Sequence, residues 1–260
     1  MRCFYIILIL TITFLPALSQ TETAPGITGI SDVVYREKTY PNGKPMYQGY
    51  FRDDKPVGEM KRFYENGNIQ AILQYGEVTE NVRAKLFYDN GSLAAEGIYL
   101  DMLKDSVWRY YGYYDGVLAM TETYLKGKRY GPMIHYYLNG SILDSVNWEN
   151  DVKQGTWVAY FPDGKLKQKG SFLNGKLEGD FLVNMEDGSP YITGKYKNDQ
   201  PDGRWVFYNA DGSVITEMNY IEGKNTDEDK TDQKQQEFFK MIEENKGKFD
   251  EPDESEFMAP

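Results

Sequence analysis

The sequence predicts an all-β protein, an elongated antiparallel meander of about eight 24-residue β-hairpins with a short C-terminal helix and an acidic tail. Three observations support this: a turn glycine recurs at nearly constant spacing, an aromatic residue follows it eight residues later, and apolar residues alternate on both sides of the turn. The glycines are Gly43, Gly67, Gly91, Gly116, Gly140, Gly164, Gly188 and Gly212, and the aromatic residues are Phe51, Tyr75, Tyr99, Tyr124, Trp148, Phe172, Tyr196 and Tyr220.

The pattern of residues 1–19 is typical of a secretory signal peptide. Arg2 precedes an apolar run from Cys3 to Leu15, and Ala17 and Ser19 are small residues near the expected cleavage point. The run is shorter than the roughly 20 apolar residues that span a membrane, and no later stretch approaches that length. We therefore expect a mature chain without a transmembrane segment or cysteine, exported to the periplasm, the cell surface or the medium.

Residues 20–34 predict a flexible leader, rich in Thr, Gly and Pro, that ends in a capping strand containing Val33 and Val34. The repeat array is predicted over residues 35–224. Capping strands are expected at the ends of repeat arrays because the terminal unit lacks a neighbour on one side.

The hairpin that turns at Gly164 shows the pattern most clearly. Trp157 and Ala159 alternate with Val158 and Tyr160, which predicts an apolar face and a mixed, solvent-facing one. We interpret Asp163-Gly164 as a two-residue type I′ turn. That turn would place Phe161 opposite Leu166 and a buried Trp157 opposite Gly170, so that the indole ring lies over bare backbone.

A second kind of turn, seen at Asn174-Gly175-Lys176, is expected to join one hairpin to the next. The single 25-residue spacing arises from one extra residue between Arg109 and Asp115, which indicates a β-bulge or a widened loop.

This order of an aromatic residue, an Asn/Asp-Gly turn, a second aromatic residue and Asn-Gly-Lys-x-x-Gly resembles the bacterial variant of the MORN repeat over about residues 35–224. The resemblance implies a scaffold of stacked hairpins without shared catalytic residues. It also implies an antitoxin-like class for some members, and eukaryotic relatives associate with membranes and protein partners.

Charge and chemistry exclude several classes of function. The net charge is −11, and residues 225–260 hold twelve acidic residues and five lysines. The array shows no basic stripe of the kind that nucleic-acid binding needs. His135 is the only histidine and cannot build a zinc shell or a triad. The turn aspartates Asp115, Asp163, Asp187 and Asp211 would lie about 10 Å apart, too far to share calcium. We expect no enzyme activity, no cofactor, no metal and no catalytic residues.

Tyrosine is abundant, and Tyr111, Tyr136, Tyr160 and Tyr208 are expected on the solvent-facing side of the sheet, where they form a candidate partner-binding face. The alternative is that the aromatic rings only fill the apolar face. The predicted function is an exported, non-enzymatic scaffold for protein–protein interaction in the bacterial envelope, with a partner that the sequence does not identify. One alternative is an antitoxin-like or immunity-like protein that masks a toxic partner, and another is glycan or cell-wall binding through exposed aromatic residues.

The composition of residues 225–260 indicates an acidic tail. Within it, Phe238, Met241 and Ile242 have helical spacing, which predicts a short helix at about 229–246. The helix is expected to cover the edge strand near Tyr220, since unpaired edges are a liability. A solvated acidic tail is the alternative.

Overall fold

The computed structural model describes residues 33–76, 81–227 and 240, and the first two ranges form one antiparallel β-sheet. Its strands are β1 (Val34–Thr39), β2 (Pro45–Arg52), β3 (Lys55–Phe63), β4 (Ile69–Tyr75), β5 (Asn81–Phe87), β6 (Leu93–Leu100), β7 (Leu103–Tyr111), β8 (Leu118–Leu125), β9 (Lys128–Arg129), β10 (Gly131–Tyr136), β11 (Ile142–Glu149), β12 (Val152–Tyr160), β13 (Leu166–Leu173), β14 (Lys176–Leu177), β15 (Gly179–Asn184), β16 (Pro190–Lys197), β17 (Gln200–Tyr208), β18 (Val214–Ile221) and β19 (Lys224–Asn225).

Apart from β9 and β14, each strand pairs with the strand that follows it in sequence, which confirms the predicted antiparallel meander. β1 pairs with β2 around the turn at Gly43 and forms the first strand of that hairpin. The short strands β9 and β14 continue into β10 and β15, because both members of each pair lie against the same neighbour, β8 or β13.

The turn at Gly164 differs from the prediction. The Gly164 N–H donates to the Phe161 carbonyl at 2.8 Å, the Phe161 N–H donates to the Lys165 carbonyl at 2.8 Å, and Gly164 has φ of 84°. Asp163 does not have positive φ, so the predicted type I′ turn is wrong. The loop is a type I turn followed by a glycine bulge, which shifts the register so that Tyr160 pairs with Leu166. The turns at Gly67, Gly91, Gly140, Gly188 and Gly212 have the same two backbone hydrogen bonds without a proline, so the geometry belongs to the repeat. The fixed φ of Pro162 suits the first central position of this type I turn but does not cause it.

Type I′ turns lie at the opposite edge of the sheet. Asn174 and Gly175 have φ of 53° and 80°, and Asn150 and Asp151 have φ of 52° and 66°. Both central residues of a type I′ turn need positive φ, which Asn, Asp and Gly accept most easily. We call this side of the sheet the type I′ edge and the side that contains Gly164 the bulge-turn edge.

The type I′ turns are connected to one another through the backbone. The Gly175 N–H donates to the Lys153 carbonyl at 2.9 Å, and the Gly223 N–H donates to the Pro201 carbonyl at 3.0 Å. Each bond joins a turn to the beginning of the strand before its own hairpin: the β13–β14 turn to β12, and the β18–β19 turn to β17. These bonds fix the position of each type I′ turn relative to the preceding one.

The core lies on the predicted apolar face. Trp108 and Trp205 are fully buried, and a Cβ atom added to Gly97 or Gly194 would come within 2.3 or 2.2 Å of their rings. The prediction that glycine lies beneath a large ring is therefore confirmed at these two places. The glycine, however, lies on the preceding strand, β6 or β16, and not within the same hairpin.

Trp157, which the sequence predicts to be buried, is only partly buried. On the preceding strand β11 its partner is Val146, where the strands before Trp108 and Trp205 have glycine. The valine side chain occupies the space in which the ring would otherwise lie. Gly170 pairs with Trp157 across the hairpin, as predicted. A Cβ atom added to Gly170 would nevertheless lie closer to the ring of Phe181 in the next hairpin, at 3.2 Å, than to the Trp157 ring, at 3.6 Å.

The extra residue in the 25-residue spacing widens a loop. The Gly112 N–H donates to the Val117 carbonyl at 2.9 Å, and the Gly116 N–H donates to the Gly112 carbonyl at 3.0 Å. Tyr111 then pairs with Leu118 as the equivalent residues do in the other hairpins. Of the two predicted alternatives, the loop is the one observed.

Two predicted segments lie outside the described residues: the signal peptide with the leader up to Asp32, and the C-terminal helix at about 229–246. Lys240 is the one described residue within the range of that helix. Within the described part of the chain, no helix has the length and apolar character that a membrane span requires.

Candidate functional site

The four predicted partner-binding tyrosines occupy equivalent places in the sheet. Tyr111, Tyr136, Tyr160 and Tyr208 are the last residues of β7, β10, β12 and β17. All four are half-buried, one residue out of phase with the core positions, so their rings lie on the face opposite Trp108 and Trp205.

Three of these rings make similar contacts with the preceding hairpin. The Tyr111 hydroxyl donates to Glu96 Oε1 at 2.8 Å, and the hydroxyls of Tyr136 and Tyr208 lie 3.5 Å from the Oγ1 atoms of Thr121 and Thr193. Burial, reinforced by Glu96, raises the pKa of Tyr111, so its hydroxyl is a neutral donor at physiological pH. The structure thus brings the four tyrosines into one row along the sheet.

The row is not continuous. Tyr136 and Tyr160 lie on successive hairpins, whereas Asn184 occupies the equivalent place before Tyr208. The Asn184 amide donates to the Leu166 carbonyl at 3.1 Å. The densest part of the row is therefore Tyr111, Tyr136 and Tyr160.

A second surface, which the sequence reasoning missed, lies on the apolar face at the type I′ edge. Lys104, Arg129 and Lys153 are each the second residue of the strand that follows a type I′ turn, whereas the equivalent residues elsewhere include Pro56, Leu177 and Pro201. A sequence signal exists, because an aromatic residue precedes each cation by five positions: Tyr99, Tyr124 and Trp148. We call this surface the cation groove and define it by Lys104, Arg129, Lys153, Trp148 and Phe172.

Cations and rings alternate in the cation groove. The Arg129 guanidinium lies 3.9 Å from the centre of the Trp148 ring, and Lys153 Nζ lies 5.4 Å from the Trp148 ring and 5.3 Å from the Phe172 ring. These distances are those of cation–π contacts. Asp151 Oδ1 accepts from the Arg129 backbone N–H at 3.0 Å and from Arg129 Nε at 3.3 Å, which fixes the guanidinium over the indole.

The groove contains a shallow cavity of about 320 Å³ beside Trp148 and Phe172. Its other lining residues are Asp151, Val152, Lys153, Gly175 and Asp199. An aromatic floor with cations above it and carboxylates at one side suits a ligand that is partly apolar and partly charged.

The Lys104 end of the groove enters a buried polar network. Lys104 Nζ donates to the Tyr110 hydroxyl at 2.6 Å, and the Tyr124 hydroxyl donates to Glu122 Oε2 at 2.6 Å. Glu122 is 1% exposed. Burial, with a smaller contribution from Tyr124 and Glu122, strongly raises the pKa of Tyr110. The tyrosine hydroxyls therefore lie between a lysine and a carboxylate in a region that is otherwise apolar.

His135 lies on the core face, as predicted, but its partner was not foreseen. Its Nδ1 atom is 2.6 Å from Asp144 Oδ1, and both residues are buried. Asp144 comes from β11, directly opposite His135 on β10. In the described part of the chain, no group of three or more His, Cys, Asp or Glu side chains could hold a metal ion.

With this geometry in place, the chain can be compared with known proteins. Three segments match the MORN repeat variant. They are residues 56–76, 153–174 and 201–222, which correspond to β3–β4, β12–β13 and β17–β18. Because the matches to the MORN repeat variant cover three of the predicted repeats, the full number of such repeats stays a prediction. No curated protein sequence matches the chain.

Among solved structures, the chain is similar to "Crystal Structure of TcdB2-TccC3-Cdc42" with 13% identity and a TM-score of 0.19, over 74% of this chain and 14% of that one. A structure of the Photorhabdus luminescens Tc holotoxin pore is 12% identical with a TM-score of 0.19, over 72% of this chain and 14% of that one. The chain thus spans about 14% of the length of these proteins. Likeness at this TM-score carries no functional argument.

Proposed function

We propose that the protein is an exported, non-enzymatic repeat scaffold of the bacterial envelope that binds a protein partner through the row of Tyr111, Tyr136, Tyr160 and Tyr208. The observation that carries the proposal is the row itself: half-buried rings at equivalent places on the face that does not form the core. MORN repeats suggest a repeat scaffold for protein binding, and three segments of this chain match that repeat.

Tyrosine suits such a surface for physical reasons. Its ring contributes contact area at low conformational-entropy cost, and its hydroxyl can bond to the partner's backbone. Eight strand spacings separate Tyr111 on β7 from Tyr208 on β17, a span of roughly 40 Å along the sheet. That span is enough for a partner patch of about 800 Å², the size typical of a stable interface.

Site-specific photo-crosslinking in the native host tests the tyrosine face. A photoreactive phenylalanine derivative replacing Tyr136 is expected to give a defined crosslinked protein, and Tyr160→Ser should abolish that product. Tyr114 is the matched control, because it is 96% exposed on the bulge-turn edge outside the row. Equal products from positions 136 and 114 would contradict the proposal, and capture of a polysaccharide instead of a protein would favour glycan binding.

Export is tested separately. If residues 1–19 are a signal peptide, protein recovered outside the cytoplasm should begin at Gln20 in N-terminal sequencing. Full-length chain that begins at Met1 and remains in the cytoplasm would contradict export and leave the tyrosine face to be judged by the crosslinking result.

A further inference from the structure

The face that carries the tyrosine row changes its chemistry half-way along the array. In the first strand of each hairpin, the residue two positions before the row lies on the same face. This residue is charged in the first four hairpins and apolar in the last four. In chain order the eight residues are Glu37, Lys61, Lys85, Arg109, Ile134, Val158, Leu182 and Val206.

The strand register joins these positions into one continuous row across the sheet. Directly paired residues of antiparallel strands share a face. From β7 to β13 the row reads Arg109, Thr121, Ile134, Ser145, Val158 and Lys169. The row is therefore without charge over β8, β10, β11 and β12, and a cation stands at each end of this stretch.

The rows on either side of this stretch are uncharged as well. Towards the bulge-turn edge, the same four strands carry the two tyrosines of the densest part of the tyrosine row, together with Ile142, which pairs with Tyr136 and is 39% exposed. Towards the type I′ edge they carry Thr123, Pro132, Asn147 and Thr156. We call these three rows on β8 to β12 the charge-free patch.

The patch has the dimensions of an interface core. Four strands and three rows of side chains cover about 20 Å by 20 Å, or roughly 400 Å². A typical stable interface covers about 800 Å² on each partner. Its centre is depleted of charged residues and its rim is polar. The charge-free patch, with Arg109 and Lys169 at its borders, matches this arrangement.

Lys169 makes the partner's chemistry more specific. Its side chain is exposed, and the row continues beyond it with the apolar Leu182. Lys195, two strands further on, has a carboxylate partner, Asp180, at 3.3 Å. Within the described part of the chain, Lys169 forms no such ion pair. A protein that covered both the patch and Leu182 would bury this ammonium group, which is strongly unfavourable unless an acidic group meets it.

We propose that the partner covers the charge-free patch with an apolar surface that carries one carboxylate, and that this carboxylate pairs with Lys169. The inference rests on the proposed function and assigns the contact to the part of the row formed by Tyr136 and Tyr160. The half of the array that carries Lys61 and Lys85 lies outside the contact.

A protein of different sequence fits the patch better than a second copy does. Both borders are cationic, and the three rows between them contain no carboxylate. Two copies packed patch against patch would leave Lys169 without an acidic partner. An uncharged glycan would leave it unmatched in the same way.

Photo-crosslinking at equivalent positions of the two halves tests the location. The photoreactive phenylalanine derivative is placed in the native host at residue 158 or, as the matched control, at residue 85, which is exposed at the same place in its hairpin. Residue 158 should give the same crosslinked protein as residue 136. Residue 85 should give none of it.

Charge reversal tests the carboxylate. Lys169→Glu should lower the yield of the product at residue 158 about tenfold or more, because two carboxylates would then meet in a desolvated contact. Lys169→Arg keeps the charge and should keep the product. Lys85→Glu is the matched reversal outside the patch and should also keep it. Lys85 and Lys169 are exposed, and thermal melts establish that each variant is folded.

A charge swap completes the test. Mass spectrometry of the product from residue 158 identifies the partner segment and its nearest Asp or Glu. Replacing that residue with Lys should restore the crosslinked product in the Lys169→Glu variant.

The outcomes separate this inference from the proposed function. Equal yields at residues 158 and 85, with a product still formed at residue 136, would overturn the inference and leave the tyrosine face as a protein-binding surface. The absence of a product at both 136 and 158 would overturn both. A product that contains two copies of this chain, or a yield that Lys169→Glu does not change, would overturn the acidic partner.

Discussion

Trp205 and Trp157 occupy equivalent positions in two hairpins but meet different neighbours. Trp205 lies over Gly194, is fully buried and donates from Nε1 to the Lys195 carbonyl at 3.1 Å. Trp157 faces Val146 and stays partly exposed. A single side chain on the preceding strand therefore decides whether the ring can lie flat on the sheet.

The first prediction compares these two tryptophans. Trp205→Ala should lower the free energy of unfolding by about 3 to 5 kcal/mol, because it removes a fully buried large aromatic side chain. Trp157→Ala should lower it by clearly less, because part of its surface already contacts solvent. Urea unfolding of both variants gives the comparison. Equal losses would show that Val146 does not control the packing of Trp157.

The sequence predicts which residues face the core but not how tightly they pack. Alternation along one strand is sufficient to assign a face, and the core positions of Trp108, Trp205 and His135 follow from it. The burial of Trp157 depends on Val146, and the partner of His135 is Asp144. Both depend on the pairing register between strands, which a bulge shifts near each turn, so neither could be derived from one strand alone.

At the level of elements, the turns of the bulge-turn edge are of two chemical kinds. Asn66 and Asn90 donate from their side-chain amides to the backbone carbonyls of Asp89 and Tyr113 in the following turn, at 2.9 and 3.1 Å. Asp163, Asp187 and Asp211 hold the equivalent position in later turns and accept hydrogen bonds from within their own turn. An ionised carboxylate has no proton to donate, so this side chain makes no such bond to the next turn. In the turn of Asp163, Lys165 Nζ donates instead to the Glu186 carbonyl of the next turn, at 3.0 Å.

The second prediction concerns pH. The pKa of Asp163 is lowered chiefly by the Lys165 backbone N–H, and the pKa values of Asp187 and Asp211 are lowered chiefly by the hydroxyls of Ser189 and Ser213. A carboxyl whose pKa is depressed by folding stabilises the protein above its unfolded pKa, and this stability is lost as pH falls through the folded pKa. The chain should therefore lose stability below about pH 4, where these carboxylates become protonated.

Replacing Asp163, Asp187 and Asp211 together with Asn should make the melting temperature less sensitive to pH in that range. Thermal melts from neutral to acidic pH measure the effect. If the variant and the unchanged protein show parallel profiles, the three turn carboxylates do not contribute to acid sensitivity.

The third prediction uses the corrected turn. Gly164 has φ of 84°, so Gly164→Ala should cost about 1 to 2 kcal/mol from the left-handed conformation alone. No atom lies within 4 Å of an added Cβ, so steric overlap does not contribute. Gly164→Asn is the matched control and should cost less, because Asn tolerates this conformation. Equal losses in unfolding free energy would point to a cause other than φ.

The existence of the hairpins follows from the 24-residue period, but the turn types do not. Asp163-Gly164 fits a type I′ turn and equally fits the end of a type I turn with a bulge. Pro162 suits the type I turn but does not decide it, because the turns at Gly67 and Gly188 have the same hydrogen bonds without proline. The Asn174-Gly175 pair at the other edge is the one that adopts type I′ geometry. Local dipeptides are ambiguous here because the same residues favour positive φ in both turns.

At the scale of the molecule, each strand packs mainly against its immediate neighbours. Trp205, for example, contacts the rings of Phe181, Tyr196 and Tyr220, all within two strands of β17 along the sheet. Such an array has stability that is close to a sum of local and nearest-neighbour terms.

The fourth prediction follows from this arrangement. Trp205→Ala should increase amide hydrogen exchange in β15 to β18 and leave exchange in β1 to β6 nearly unchanged, because destabilisation spreads through neighbouring strands only. Hydrogen-exchange mass spectrometry resolves the two regions. Uniform acceleration along the chain would instead show that the sheet unfolds as one cooperative unit.

The meander and its two faces can be predicted from the sequence, whereas the cation groove cannot be read from any one repeat. Lys104, Arg129 and Lys153 look like ordinary exposed charges until the sheet places them beside the same row of rings. The tyrosine row was predicted because its members share one strand position. The binding partner of the tyrosine row could not be predicted, because complementarity of shape and charge depends on both surfaces and this sequence contains only one of them.

The widened loop from Gly112 to Val117 has a practical consequence. It holds one residue more than its counterparts, yet Tyr111 still pairs with Leu118 on the next strand. The bulge-turn edge therefore accepts an added residue without a shift of the strands. An insertion in a type I′ turn would instead break its backbone hydrogen bond to the preceding strand, such as that from Gly175 to Lys153. A peptide tag or reporter grafted between Tyr113 and Tyr114 would project from one rim of the protein and leave both faces of the sheet available.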